Sequence, residues 1–263
     1  MPDITLEHVT VDFHTGKRRN KQTVRALDDV DLKVADREFV CLLGPSGCGK
    51  STLLNLVAGF RHPTAGRITV GGQPVSGPGP DRGVVFQDAN IFPWLSVEKN
   101  VAFGPQMRGV TGSAELREQV HTYLSRVGLS DFADRLPLQL SGGMRQRVAL
   151  ARVLINDPPV LLMDEPFGAL DAQTRIIMQE LLLELWEKER KTVIFVTHDI
   201  DEALLLADRV YVMSVRPGRI QDTIEVPLER PRAYQVTNES VFRDLRNRLF
   251  EQLHDQALVA ESL

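Results

Sequence analysis

The residues of this chain most able to do chemistry are Gly44, Pro45, Ser46, Gly47, Cys48, Gly49, Lys50 and Ser51, which fit the spacing GxxxxGKS and are followed by Thr52. Glycines at these places let successive backbone N–H groups turn inward on phosphate oxygens, and a helix that starts at once adds its positive end. Lys50 can reach the β and γ phosphates, and the Ser51 hydroxyl can ligate Mg²⁺. The fixed positions of the pattern arise by accident in roughly one chain in a hundred of this length. A glycine-rich turn with a solvated lysine would lack the strand and helix flanks seen here, so the chemistry read from this stretch is nucleotide binding.

Asp164 and Glu165 stand at the end of an apolar run. Two adjacent carboxylates at the end of a buried parallel strand suit phosphoryl transfer, with Asp164 in the Mg²⁺ shell and Glu165 as the general base that polarises the attacking water. Ser141, Gly142 and Gly143 precede a helical stretch that runs to Leu154, which is either a second anion site or simply an N-capped helix. His198 directly follows another apolar run. It is a buried or capping histidine, or, beside a nucleotide, a hydrogen-bond partner for the γ phosphate.

The elements that must position these groups can be traced along the chain. Residues 39–43 are too short for a helix and apolar enough for a strand buried on both faces, and 52–59 read as an apolar helix, giving strand, phosphate loop, helix. Residues 4–13 and 24–34 alternate as two strands of an antiparallel layer, joined by the basic connection 14–22. That connection is read as a solvated loop, with a contact to anionic lipid heads or a partner as the alternative. A short strand over 67–70, a loop over 71–82 and a strand over 83–86 follow. From Asp88 to Asn156 the spacing turns helical, with interruptions at Pro93, Pro105 and Pro137, which predicts an inserted helical subdomain. Parallel-sheet texture returns at 160–163, then a helix over about 172–188, a strand over 192–197, a helix over 200–207 with Asp199, Asp201 and Glu202 at its start, and closing strands over 210–214 and 219–226. In the tail, Phe242, Leu245, Leu249 and Leu253 make one apolar helix face, directed at the parent domain or at a dimer or regulatory contact.

Composition narrows the class. At 263 residues the chain holds one large domain or a domain plus a subdomain, and a net charge of -4 argues against a general nucleic-acid binder. Cys41 falls in a buried strand and Cys48 in the phosphate loop, so neither suggests a disulfide framework and both are expected reduced and cytosolic. The first residues lack a basic start with an apolar stretch behind it, and no segment approaches the roughly 20 apolar residues of a membrane span.

Together these stretches resemble the ATP-binding cassette subunit of an ABC transporter, over roughly residues 3–226. Residues 44–51 match the Walker A motif, Gln87 the Q-loop, residues 140–146 the LSGGQ-type signature, residues 160–164 Walker B with Glu165 after it, Ala169-Leu170-Asp171 the D-loop, and His198 the switch histidine. Met144 and Arg145 stand where the signature has glutamine, a common variant. The resemblance implies an α/β fold: a P-loop NTPase parallel-sheet core with an antiparallel β layer and an inserted α-helical subdomain. The expected divisions are 1–87 and 157–228 for the ATP-binding core, 88–156 for the helical signature subdomain and 229–263 for a C-terminal helical tail.

The resemblance also implies ATP and Mg²⁺ as cofactors, with Glu165 and His198 catalytic, Gln87 joining Ser51 and Asp164 at the metal, and Phe13 stacking on adenine where a tyrosine is more usual. It implies a dimer in which Ser141, Gly142, Gly143 and Asp171 of one copy, or of a homologous cassette, complete the site of the other. Transmembrane permease subunits, and indirectly a substrate-binding protein, are the further partners, at the cytoplasmic face of the inner membrane. Phe92-Pro93-Trp94-Leu95, residues 164–171, residues 197–203 and Arg216-Pro217-Gly218-Arg219 resemble the importer cassettes for nitrate, aliphatic sulfonates and taurine. Trp94 and its neighbours are expected to pack beneath the permease contact. Arg37 stands where that family usually has glycine; a turn with positive φ would be strained there, so a local backbone adjustment with no effect on chemistry is expected. The alternatives are a cassette of another ABC transporter, with a different substrate or an exporter, and a non-transport ABC ATPase. A DNA-repair or chromosome-structuring ATPase would need long insertions for which residues 87–140 leave no room.

Overall fold

The structure, a computed structural model, describes residues 1–15, 22–110 and 112–261. In chain order its elements are β1 (Ile4–Thr15), β2 (Gln22–Val34), β3 (Phe39–Leu43), α1 (Lys50–Val57), β4 (Ala65–Val70), β5 (Gln73–Pro74), β6 (Arg82–Val85), α2 (Val97–Met107), α3 (Ala114–Arg126), α4 (Gly142–Leu154), β7 (Val160–Asp164), α5 (Ala172–Glu189), β8 (Thr192–Thr197), α6 (Ile200–Leu206), β9 (Arg209–Met213), β10 (Ile220–Glu225) and α7 (Ser240–Glu261).

β3 shows why an unbroken apolar run was needed. Successive side chains of a strand point to opposite faces. Phe39, Cys41 and Leu43 enter an apolar cluster with side chains of α5 and α6, while Val40 and Leu42 enter a second cluster with α1 and the antiparallel sheet. Both faces are therefore covered and every β3 residue is buried. Each such side chain contributes roughly 1.5–3 kcal/mol through burial. β3 lies inside a six-stranded sheet ordered β10-β9-β3-β8-β7-β6, in which only the β10–β9 pairing is antiparallel. The second sheet, ordered β2-β1-β4-β5, is antiparallel throughout.

Helices α2, α3 and α4 bury a separate apolar cluster that includes Val97, Val101, Val120, Leu124 and Val148. Asn100 is fully buried there and fixes the segment before α2. Its amide oxygen accepts from the Phe92 N–H at 2.7 Å, and its Nδ2 donates to the carbonyls of Phe92, Leu95 and Ser96. In the tail, Phe242 and Leu249 are buried in the main core, with Leu245 and Leu253 packed against it, so the apolar stripe of α7 faces the parent domain.

Three local expectations need comment. The stretch 71–82 is not all loop: Gly71 and Gly72, both at positive φ, turn the chain so that Gln73 and Pro74 pair back on β4, a strand too short to show periodicity. Trp94 is 72% exposed, with its ring 5.6 Å from that of Phe92, which itself packs 4.4 Å from Phe103, so the indole stays on the surface and the permease expected to cover it lies outside this chain. Most of the basic connection, residues 16–21, lies outside the described residues.

The backbone does not adjust at Arg37, which keeps the left-handed turn at φ +61° because its N–H is held by Thr192 Oγ1 at 3.0 Å. A left-handed conformation costs a residue with a Cβ about 1–2 kcal/mol, against about 0.5–1 kcal/mol for the extra freedom that glycine loses on folding. Arg37→Gly keeps the N–H donor, so it should stabilise the chain by about 0.5–1 kcal/mol and raise the melting temperature by about 1–4 °C in calorimetry. A lowered melting temperature would mean that the arginine side chain contributes more than its backbone costs.

Candidate active site

The parallel register brings the candidate groups to one edge of the sheet. Leu43 pairs with Thr197 and Asp164 with Val196, so the loop after β3, the pair Asp164-Glu165 and the residue after Thr197 all leave the sheet at its carboxyl edge. β6 lies beside β7, with Val85 opposite Met163, and delivers Gln87 to the same edge. Crevices outside the carboxyl ends of parallel strands are where open α/β sheets hold ligands.

The loop 44–49 turns sharply enough to start α1 at Lys50. Gly49, at φ +104°, stands at the N-cap without a side-chain cap, and a Cβ there would come within 2.6 Å of Leu27 Cδ2. No side chain therefore competes for the first N–H groups of α1. Lys50 is only 4% exposed, and its ammonium donates to the carbonyls of Gly44 at 2.6 Å and Pro45 at 3.0 Å. Both partners are neutral, which leaves the charge without a carboxylate among the described residues.

Asp164 and Glu165 diverge as they leave β7. The Ser51 hydroxyl donates to Asp164 Oδ1 at 2.9 Å. Burial pushes the Asp164 carboxyl above its ordinary range, and the Ser51 hydrogen bond opposes that rise. Glu165 takes φ +43°, its N–H donates to the Val196 carbonyl, and its Oε2 lies 3.1 Å from His198 Nδ1. The Gln87 amide nitrogen and Glu165 Oε2 both lie 3.7 Å from where a Cβ on Gly168 would be.

A cavity of about 580 Å³ has walls that include Phe13, Ser46, Gly47, Gly49, Lys50, Ser51, Thr52, Gln87 and Glu165; Gly44, Pro45, Cys48, Asp164 and His198 are not in that wall, Asp164 standing behind Ser51 and His198 behind Glu165. The Phe13 ring carries the Arg61 guanidinium over one face at 4.2 Å. Ser141, Gly142, Gly143 and Asp171 are not in that wall. Ser141 caps α4, accepting from the Met144 N–H at 3.2 Å, and Asp171 caps α5, accepting from the Thr174 N–H at 3.0 Å, which lowers the Asp171 pKa. These two helix starts are neighbours, because a Cβ on Gly143 would sit 2.6 Å from Thr174 Cγ2. Gln146, one turn into α4, donates to the Phe86 carbonyl at 3.3 Å, next to Gln87. The sequence residues thus fall into one group around the cavity and another at the starts of α4 and α5.

Three cavity residues escaped the sequence reading. Val24 and Ala26 line it from β2, and Arg216 reaches in from the turn 216–219, donating through Nε to the Gly47 carbonyl at 3.1 Å. The Arg-Pro-Gly-Arg stretch signalled a turn, and nothing local indicated which side chain the turn would aim.

Comparison with known proteins agrees with this geometry. The family model described as ABC transporter matches residues 27–168. The chain belongs to the ABC transporter family. As an ATP-binding subunit of that family it hydrolyses ATP. It is 52% identical over 227 residues to the taurine import ATP-binding protein TauB of Roseobacter denitrificans, covering 86% of this chain and 83% of that one. It is 49% identical over 255 residues to an ABC transporter ATP-binding protein of Methanocaldococcus jannaschii, covering 97% of this chain and 92% of the relative. A dimeric ATP-binding cassette solved in a post-hydrolysis state with ADP and Pi superposes with a TM-score of 0.74 at 33% identity, over 86% of this chain and all of the other. The parallel core, antiparallel layer and helical insertion are the fold that the sequence predicted.

Beneath His198, Glu202 is buried with its carboxylate on Thr197 Oγ1 at 2.5 Å and Gln179 Nε2 at 3.0 Å, and burial raises its pKa. The folded state then holds this proton more tightly than the unfolded one. Stability due to this group should fall as pH climbs from the ordinary carboxylate range through the raised value. Glu202→Gln keeps the size and removes the titration. Urea unfolding at a series of pH values should show parent and variant converging at low pH, with the parent losing ground above it. Parallel curves would mean that Glu202 folds with its charge at no cost.

Proposed function

We propose that this ATPase powers uptake of a small organic sulfonate of the taurine type, as a peripheral subunit on the cytoplasmic face of the inner membrane. Its membrane partners are separate permease subunits, fed by a substrate-binding protein. The relative named for taurine import supports the substrate class. No helix among the described residues is long and apolar enough to cross a membrane, which is consistent with a separate permease.

The observation that carries the catalytic reading is the pair of contacts at the ends of β7 and β8, Ser51 on Asp164 and His198 on Glu165. A hydroxyl and a carboxylate oxygen 2.9 Å apart make an all-oxygen donor set that fits a hard divalent cation, so Ser51 and Asp164, with the Gln87 amide, would hold Mg²⁺. When bound, Mg²⁺ offsets charge on the β and γ phosphates. The remaining roles fall to the chain itself. Residues 44–52 and the uncapped start of α1 bind the phosphates through backbone N–H groups. Lys50 exchanges the Gly44 and Pro45 carbonyls for the terminal phosphates. Phe13 offers a ring face to adenine, Glu165 takes the proton of the attacking water, and His198 steadies Glu165 and donates to the γ phosphate. Ser141, Gly142, Gly143 and Asp171, which stand outside this cavity, serve the nucleotide held by a second copy or a homologous cassette.

Glu165→Gln tests the assignment in one chain. It keeps the size and an accepting oxygen but removes the base, so ATP affinity should match the parent while turnover drops by about 10² to 10⁴. Cells carrying only this variant should fail to grow on taurine as sole sulfur source. Turnover near the parent's would remove Glu165 from the mechanism, and undiminished growth on taurine of a strain lacking the gene would remove the substrate class.

A further inference from the structure

His198 is the most exposed of the groups assigned to catalysis, with 57% of its side chain open to solvent. Little packs around the imidazole, so its direction depends on the backbone that carries it and on its contact with Glu165. That backbone is gripped on both sides. Thr197, paired with Leu43 at the end of β8, donates its hydroxyl to buried Glu202 and accepts from the Asp199 N–H at 3.0 Å. Asp199 spends its two carboxylate oxygens differently. Oδ1 accepts the Glu202 N–H at 3.1 Å and caps α6, while Oδ2 lies 3.3 Å from Arg175 Nη1.

Arg175, in the first turn of α5, also donates through Nη2 to the Leu170 carbonyl at 3.1 Å. It therefore ties the residue after His198 to the segment that enters α5, across 24 positions of sequence. Its Nε–H is buried with no partner among the described residues. Both of its Nη contacts go to residues outside α5, so the side chain serves the junction between the two segments and not the helix that carries it. The planar guanidinium presents its donors as a rigid fork, which fixes the Asp199 carboxylate and the Leu170 carbonyl relative to one another.

Resting on the assignment of His198 to catalysis, we propose that Arg175 is a positioning residue for ATP hydrolysis, acting through Asp199 to hold the His198 imidazole against Glu165. It touches neither the nucleotide cavity nor the reacting atoms. Its loss should leave ATP binding alone and lower the rate, because small misplacements of a catalytic group cost rate far more than affinity.

The experiment measures kcat and KM for ATP with the full chain and its Arg175→Met, Arg175→Lys, Asp199→Asn and His198→Ala variants, and with the Arg175→Met/His198→Ala double variant. Arg175→Met should lower kcat on the order of tenfold with KM unchanged. Arg175→Lys, which keeps the charge but not the fork, should recover part of that loss. Asp199→Asn keeps an oxygen for the α6 cap and removes the ion pair, so it should reproduce the kcat loss and carries the test if Arg175→Met does not fold. In the His198→Ala background, Arg175→Met should cost less than twofold, since nothing is left to position. A full tenfold cost in a His198→Ala chain that is itself slow overturns the positioning role and leaves the site assignment intact. A His198→Ala chain with parental kcat overturns the assignment and the proposal together. A raised KM with kcat unchanged in Arg175→Met and Asp199→Asn overturns the proposal by placing Arg175 in nucleotide binding.

Discussion

Parallel pairing of β3, β7 and β8 is the constraint on which the rest of the structure depends. Leu43 opposite Thr197 and Asp164 opposite Val196 fix three chain exits at one edge of the sheet. Sliding one strand by a single residue would exchange its two faces, moving Val40 and Leu42 into the cluster that Cys41 and Leu43 now fill. Both faces of β3 are dry, so the register is specified by burial before any catalytic group is considered. The contacts of Ser51 with Asp164 and of Glu165 with His198 then follow from strand geometry, with no long side chain needed to bridge elements.

Charge is arranged on that frame with little compensation. Lys50 is buried against neutral carbonyls, α1 begins without a side-chain cap, and the Asp164 carboxyl is held above its usual range by burial. Each is a group whose surroundings only partly satisfy it, as expected where a polyphosphate and a divalent cation are to be exchanged. Glu165 adds a backbone cost of the same kind at φ +43°, and its carboxylate meets His198 while that of Asp164 meets Ser51. Strain of this sort collects at sites whose chemistry needs an unusual direction.

What could be read from the sequence was what is local. The strand, loop and helix around Lys50 are continuous in the chain, so composition and spacing revealed them, and the α7 stripe repeats at helical period. Arg37 was legible because a backbone demand for positive φ shows against an expected glycine. The failures share the opposite property. Arg216 on Gly47 and Arg175 on Asp199 join residues far apart in sequence, and no local pattern states where an arginine head will land. Trp94 is a different case, since its expected partner is a permease subunit: within this chain Asn100 holds the backbone of its segment and the indole stays exposed. The Lys50 head was assigned to phosphate from its type, and its grip on the Gly44 and Pro45 carbonyls became visible only in three dimensions.

The separation of Ser141 to Gly143 and Asp171 from the cavity gives the account its central claim, that each nucleotide is enclosed by two chains. Gly143 packs against Thr174 at the start of α5, so the starts of α4 and α5 form one face. Sedimentation of the Glu165→Gln chain with saturating MgATP tests the claim most directly, because slow hydrolysis lets a closed assembly accumulate. The account predicts a dimer with MgATP, a monomer without nucleotide, and a monomer with MgATP when Gly142→Asp, at a position where a Cβ meets nothing within 4 Å, sets a carboxylate on the face that would meet the partner's γ phosphate. A Glu165→Gln chain that binds MgATP and still sediments as a monomer, or a Gly142→Asp double variant that dimerises as readily, would contradict it.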